Sequence, residues 1–328
     1  MPFRLPRRGL AQIAALIVIL LIDRMVSPQF FDLRLQDGRL FGSLVDVFNR
    51  GAPVALLSLG MVLVIATGGI DLSVGAVMAI SGAIAASLAD SHAWPVAVGA
   101  ALGAGVICGA WNGFLVAVLR MQPIVATLIL MVVGRGAAQL ITRGEVVVIK
   151  SDAFAFIGNG HVLGVPFAPL LAVFMFFVTH QFLRRTAAGL FIEAVGDNEK
   201  AARFAGLAAA RVKGIVYVFC GLCAGVAGLM AAANIRAADS YRMGENMELD
   251  AIFAVVVGGT ALTGGRFLLL GAFIGALLLQ TLTTTMYNLG VPPAVAPVPK
   301  AVLILVVCLL QSEHARRWAR GLLKGGRA

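Results

Sequence analysis

Two charged residues stand inside long apolar runs of this sequence: Asp71 in VIATGGIDLSVGAVMAISG and Arg135 in MVVGRGAAQLIT. A lone charge at the centre of a hydrocarbon layer costs about 2.5–3.5 kcal/mol on insertion scales, so each needs a task. For Asp71 the neighbours name one. Gly68 and Gly69 end or loosen the preceding helix, and Asp followed by Leu72, Ser73 and Val74 reads as an N-cap for the next. The carboxylate would accept backbone N–H bonds at the positive end of the helix dipole. Asp71 is then a cap near one membrane face, the pivot of a broken helix, or both. Arg135, between Gly134 and Gly136, either lines a pathway or locks helices through an acidic or carbonyl partner.

The uncharged polar groups inside apolar runs include Asn112, Thr127, Gln139, Asn234, Gln280, Thr284 and Asn288. Hydrogen bonding between helices explains any one of them. The stretch LQTLTTTMYNLG is denser than that requires, and a hydroxyl-rich face suits a polar, uncharged solute. Asn112, Arg135, Gln139, Gln280, Thr284 and Asn288 are therefore the candidate pathway residues. Cys220 and Cys223 form C-x-x-C, but within VYVFCGLCAGVAG they read as small apolar packing groups, and the four histidines are scattered. No metal set, catalytic cluster or enzyme activity is expected. None of the five lysines follows a glycine, so there is no G-K-[ST] phosphate loop and no nucleotide or other cofactor bound by this chain.

The elements that position these residues are membrane helices. The 328 residues are 60% hydrophobic and 13% charged, and the apolar residues fall in runs of about 20, the length that crosses roughly 30 Å of hydrocarbon. The reading is all-α: one polytopic helical domain over 1–328 with about ten spans, some broken or short. They lie near 9–27, 43–66, 71–90, 93–119, 123–143, 166–183, 212–234, 249–263, 267–288 and 296–312. The N-terminus resembles a signal peptide, but Asp23-Arg24 follows its apolar stretch instead of a small-residue cleavage site, so a retained first span is expected. The net charge of +10 is split among loops and a tail, which points to topology, not to nucleic acid. Basic residues concentrate in 184–213 and in the tail 313–328, placing both termini in the cytoplasm, while 235–248 reads as an outer segment.

Two features of organisation stand out. Gly68-Gly69-Ile70-Asp71-Leu72-Ser73-Val74-Gly75 echoes Gly258-Gly259-Thr260-Ala261-Leu262-Thr263-Gly264-Gly265 as G-G-x-x-L-[ST]-x-G, marking Gly68, Gly69, Asp71, Gly258 and Gly259 as candidate helix breaks or gates. In the cytoplasmic loop, about 184–211, FIEAVGDNEKAARFAGLAAARVKG holds a short helix capped by Asp197 or Asn198 and ended at Gly206. So short a helix is unstable alone, which points to docking on a partner; a surface connector is the other reading.

With TGGIDLSVGAV at 67–77, EAVGDNEKAARFAGL at 193–207 and LDAIFAVVVGGTALTGGRF at 249–267, the chain resembles the membrane permease subunits of bacterial ABC importers for monosaccharides such as ribose, arabinose, xylose and galactose. The resemblance covers nearly the whole chain, and NRGAPVALLSLGMVLVIATGGIDLSVGAVMAI at 49–80 resembles the galactofuranose type within that family. It implies an inner-membrane sugar importer made with an ATPase that binds ATP and Mg, a periplasmic sugar-binding protein and a second permease subunit, related or identical. It also implies a segment coupled to the ATPase, mapping onto Glu193, Gly196, Asn198, Ala201, Ala202 and Gly206. Ala261 stands where the first motif has Asp71, so the halves are not assumed equivalent. The reading from another class is a self-sufficient ion-coupled transporter or channel using acidic groups such as Asp23 and Asp71.

Overall fold

The computed structural model describes residues 16–21, 23–25, 30–36, 38–292 and 295–311. Arg4, Arg7, Arg8 and the tail 313–328, which carry the expected orientation of both termini, lie outside them. Helix α1 is described over 16–21 and 23–25. After β1 (Arg34–Gln36) and β2 (Arg39–Phe41) come α2 (Ser43–Ala66), α3 (Val74–Ala89), α4 (Trp94–Gly113, continued by a π-helical turn Phe114–Val118) and α5 (Pro123–Thr142). Next are β3 (Val147–Val148), the short α6 (Asp152–Asn159), β4 (His161–Val162), β5 (Val165–Pro166) and α7 (Phe167–Arg185). The chain continues through α8 (Ala188–Asp197), α9 (Glu199–Phe204), α10 (Ala209–Ile235), β6 (Ala237–Ala238), α11 (Met247–Val257), α12 (Leu269–Asn288) and α13 (Pro297–Gln311).

Among the described residues six helices are long and apolar enough to cross a membrane: α2, α4 with its π turn, α5, α7, α10 and α12. The expected spans all have helical counterparts, but not all are full crossings. At 1.5 Å per residue α3 rises about 24 Å and α11 only about 16 Å, against roughly 30 Å of hydrocarbon. The expected span 249–263 is thus a half-helix. Its glycine pair stops it at Val257, as the next section shows.

Helix α10 is the axis, packed against α2, α3 and α4. Ala101, Gly105, Gly109 and Gly113, four residues apart on α4, face Gly225, Gly221 and Gly214 on antiparallel α10. A Cβ on Gly105 would fall 2.6 Å from the Gly221 carbonyl oxygen, and one on Gly113 3.1 Å from the Gly214 Cα. Small residues at this spacing let membrane helices meet backbone to backbone, where dispersion is the available attraction. Cys220 and Cys223 are buried free thiols on the face toward Gly60 of α2, filling space as small side chains.

The two ends of the bundle differ. At one, the loop end, β3 pairs antiparallel with β6, and the Asp90 carboxylate accepts from the backbone N–H groups of Lys150 and Ser151 at 3.0 and 2.9 Å. At the other, the basic end, lie Arg184, Arg185, α8, α9 and the start of α10. There Glu199 clips α9 to α10 through Lys213 at 2.6 Å and also binds Arg203. The Lys213 hydrogen bond leads in holding the Glu199 carboxyl below its ordinary range.

Substituting Gly109 by Leu, whose Cβ would lie 2.9 Å from the Val218 Cα, should destabilise the bundle by at least about 1–3 kcal/mol. Gly103→Leu, with nothing within 4 Å of its Cβ, should melt like the parent in detergent. Equal melting of both variants would refute the glycine seam.

Candidate functional site

Both glycine motifs end a helix by the same hydrogen bonds. After α2, Gly68 N–H donates to Ile65 O at 2.9 Å and Gly69 N–H to Val64 O at 3.1 Å. After α11, Gly259 N–H donates to Val256 O at 2.9 Å and Thr260 N–H to Val255 O at 3.2 Å. This is a Schellman cap with a left-handed residue at its turn, here Gly68 (φ 77) and Gly259 (φ 86). The structural equivalence is therefore Gly68 with Gly259, one residue off the register of the sequence echo.

The first cap meets the turn that leads into α12. Gly265 N–H donates to Ala66 O at 2.9 Å, and a Cβ on Gly264 would lie 3.0 Å from both Gly68 N and Gly196 O. A Cβ on Gly196 would lie 2.6 Å from Gly265 N and 2.9 Å from the Ala66 carbonyl carbon. Thus the last turn of α8 rests on the first helix break and on the Gly264–Gly265 turn that follows the second. Only residues without side chains at Gly196 and Gly264 permit that approach.

Asp71 is not the N-cap of α3. It is 2% exposed and sits against the Cys220 thiol, 11 residues or about 17 Å along α10 from its start. Its Oδ1 accepts from Ser73 N at 2.9 Å, Ser73 Oγ at 2.6 Å and Asn112 Nδ2 at 3.3 Å; Asn112 Nδ2 also donates to Ser73 Oγ at 2.8 Å. The carboxylate closes a turn over Ile70–Ser73, so α3 begins at Val74 with no side-chain cap. It thereby ties the α2–α3 break to α4. Tyr217 OH and Asn112 Oδ1 are buried here without a hydrogen-bond partner.

The segment 235–248, expected outside, turns into the bundle. A Cβ on Gly244 would fall 3.0 Å from the carbonyl carbon of Gly75, in the first turn of α3. Arg135 holds this dip: Nη1 donates to Met243 O at 2.5 Å and Nη2 to Gly244 O at 2.6 Å. The carbonyl-lock reading of Arg135 describes this geometry. Helix α11 starts from the dip with Glu248 and Asp250 in its first turn, where the dipole favours negative charge. Asp250 is paired with Lys300 of α13 at 2.7 Å, an ion pair the sequence reading did not single out.

Above the dip lies a cavity of about 350 Å³, lined by Asn49, Arg50 and Pro53 of α2, Met78 of α3, Ala168, residues from Met230 to Ile235 of α10, and Asp239, Arg242, Met243, Gly244 and Met247. Pro53 stands inside α2 and lacks the N–H that would take the Asn49 carbonyl. The Asn49 Oδ1 has no partner either. Acceptors from Asn49 and Asp239 and donors from Arg50, Arg242 and Asn234 thus surround a largely apolar space, the usual make-up of a small-molecule site. The proline inside a helical run, NRGAPVALL, was the sequence signal for it.

None of the six candidate pathway residues lines this cavity. Asn112 and Arg135 are committed as described. Gln139 is half-buried one turn beyond Arg135, Gln280 packs over Gly51, Thr284 is half-buried and Asn288 is exposed. The threonine face is spent on its own helix: Thr281, Thr283 and Thr285 each donate to the carbonyl four residues back at 2.8 Å. In the coupling segment, Asn198 Oδ1 caps α9 by accepting from Ala201 N at 3.0 Å, and Gly206 (φ 85) ends it. The expected short helix is therefore α9, and a second short helix, α8, which includes Glu193 through Asp197, precedes it. Ala202 is buried, Asn198, Ala201 and Gly206 are exposed, and Glu193 is half-buried.

The model of the family described as branched-chain amino acid transport system, permease component, matches residues 43–308. The chain belongs to this family. The permease is 50% identical to the galactofuranose transporter permease protein YtfT of Escherichia coli K12, over 95% of this chain and 92% of that one. It is 38% identical to the ribose import permease protein RbsC of the same strain, covering 91% of this chain and 92% of that one. It is 37% identical to the fructose import permease protein FruF of Bifidobacterium longum, covering 92% and 86%. No solved structure matches it significantly. The permease is a multi-pass helical membrane protein.

Asp71→Asn keeps an acceptor for all three donors and should retain parental melting in detergent. Asp71→Leu removes the acceptor of the Ser73 N–H and O–H donors and should cost about 1–3 kcal/mol for each buried group stranded. Equal destabilisation by both would mean that the charge, not the hydrogen-bonded turn, is what the site requires.

Proposed function

We propose that the permease is the membrane-spanning subunit of an ATP-driven importer in the bacterial inner membrane, and that it moves a monosaccharide, galactofuranose or a related aldose. The likeness to the galactofuranose, ribose and fructose permeases supports the substrate class. The loop-end cavity supports uptake from the outer side: Asn49 supplies acceptors and Arg50, Asn234 and Arg242 supply donors for hydroxyl groups. A periplasmic binding protein would deliver the sugar there, and both termini would lie in the cytoplasm with the basic end. ATP and Mg would be held by a partner ATPase, and a second permease subunit, related or identical, would complete the path.

One observation carries the mechanism: α8 rests through Gly196 on the end of α2 and on the Gly264–Gly265 turn between α11 and α12. Helix α2 runs from Asn49 and Pro53 at the cavity to Ala66 at this contact. A push on α8–α9 would therefore reach the cavity along α2, while the Gly264–Gly265 turn links the same contact to the loop that follows α11. Arg135 and Lys300 hold the top of α11 to α5 and α13, so the half-helix tilts instead of sliding.

Ala201 is exposed on α9, so Ala201→Arg should leave the permease inserted and monodisperse but abolish co-purification with the ATPase and ATP-dependent uptake. Asn49→Ala should raise KM for uptake several-fold with ATPase association intact. Vigorous uptake by the purified permease alone, without any ATPase, would overturn the assignment in favour of a self-sufficient transporter.

A further inference from the structure

A second cavity, of about 270 Å³, lies at the basic end between α2, α7, α8 and α10. Its walls are almost wholly apolar, including Leu63, Phe182, Phe191, Ile215 and Phe219. It opens sideways from the bundle, because Val178, Phe182, Phe191 and Ile215 are exposed. Along α10 it extends from Val212 to Phe219, about 10 Å of rise. Its deepest lining residue there is about 15 Å from the start of that helix. This is hydrocarbon depth, beyond the reach of a soluble subunit docked on α9.

The rim at the basic end is cationic. Arg184 and Arg185 follow Phe182 and Leu183 of the wall, and Arg211 precedes Val212; all three arginines are exposed. Lys213 is already held by Glu199, but no carboxylate is paired with these three among the described residues. We propose that the groove binds one anionic phospholipid, with an acyl chain between α7 and α10 and its headgroup phosphate on Arg184, Arg185 and Arg211. Basic rims over interhelical grooves recognise anionic headgroups in this way. A second copy of the chain is the poorer occupant, since a two-fold contact would bring the same arginines face to face. The Ala188, Phe191 and Ile192 side of the groove is α8 itself, so the lipid chain would brace the segment that rests on the first helix break.

The test gives purified permease equal amounts of phosphatidylglycerol and phosphatidylcholine with matched chains, and reads retained lipid by native mass spectrometry. The parent should prefer phosphatidylglycerol by about ten- to a hundredfold. The triple variant Arg184→Gln, Arg185→Gln, Arg211→Gln changes exposed side chains alone and should lose the preference. Ala188→Phe should fill the groove and lose both lipids while keeping the charges; if it fails to fold, the triple variant still decides. Equal retention of the two lipids by the parent, or an unchanged preference in the triple variant, overturns the proposal. So does efficient disulfide cross-linking of Ile215→Cys between copies in native membranes, which would assign this face to a second chain.

Discussion

Hydrocarbon supplies no hydrogen-bond partners, so every irregular stretch of backbone at membrane depth must find its own inside the protein. Three such stretches organise this permease: the break after α2, the break after α11, and the dip that carries Met243 and Gly244 inward. Each is satisfied in a different way. The breaks fold back on their own helices in Schellman caps, and Gly265, in the loop after the second, then donates to Ala66 O at the first. Asp71 closes the turn that follows the first break, and the Arg135 guanidinium takes the carbonyls of the dip.

The same need explains where the charges are. A carboxylate or guanidinium at depth is tolerated when it replaces hydrogen bonds that the backbone would otherwise lack. Asp71 and Arg135 each fix an irregular segment to a regular helix, and the Asp250–Lys300 pair joins α11 to α13. The polar groups that line the cavity thus come from helix ends and the turns beside them.

Glycine converts these local solutions into a connected machine. The α4–α10 seam brings the axis helix close to its neighbour, while Gly196 and Gly264 bring α8 onto the end of α2. Helix α2 runs from that contact to the cavity and is the direct mechanical route between them. The apolar groove with its arginine rim adjoins that route on the lipid side.

Much of this was legible in the residues themselves. Apolar run lengths place the spans, since a helix needs a set number of residues to cross hydrocarbon, and Gly68 and Gly259 mark where helices stop because few other residues adopt positive φ. Asn198 and Gly206 delimit α9 by the same local rules. What the sequence does not contain is depth and partnership. That Asp71 lies beside Cys220, that Arg135 meets carbonyls more than a hundred residues away, and that the 235–248 segment turns inward all depend on α3 and α11 being shorter than the helices around them. The threonine run reads as a solute path in one dimension, yet the hydroxyls of Thr281, Thr283 and Thr285 turn back onto α12. Hydrogen bonds within a turn are set by neighbours in the chain; those that build the site join segments far apart, and only packing decides which of them meet.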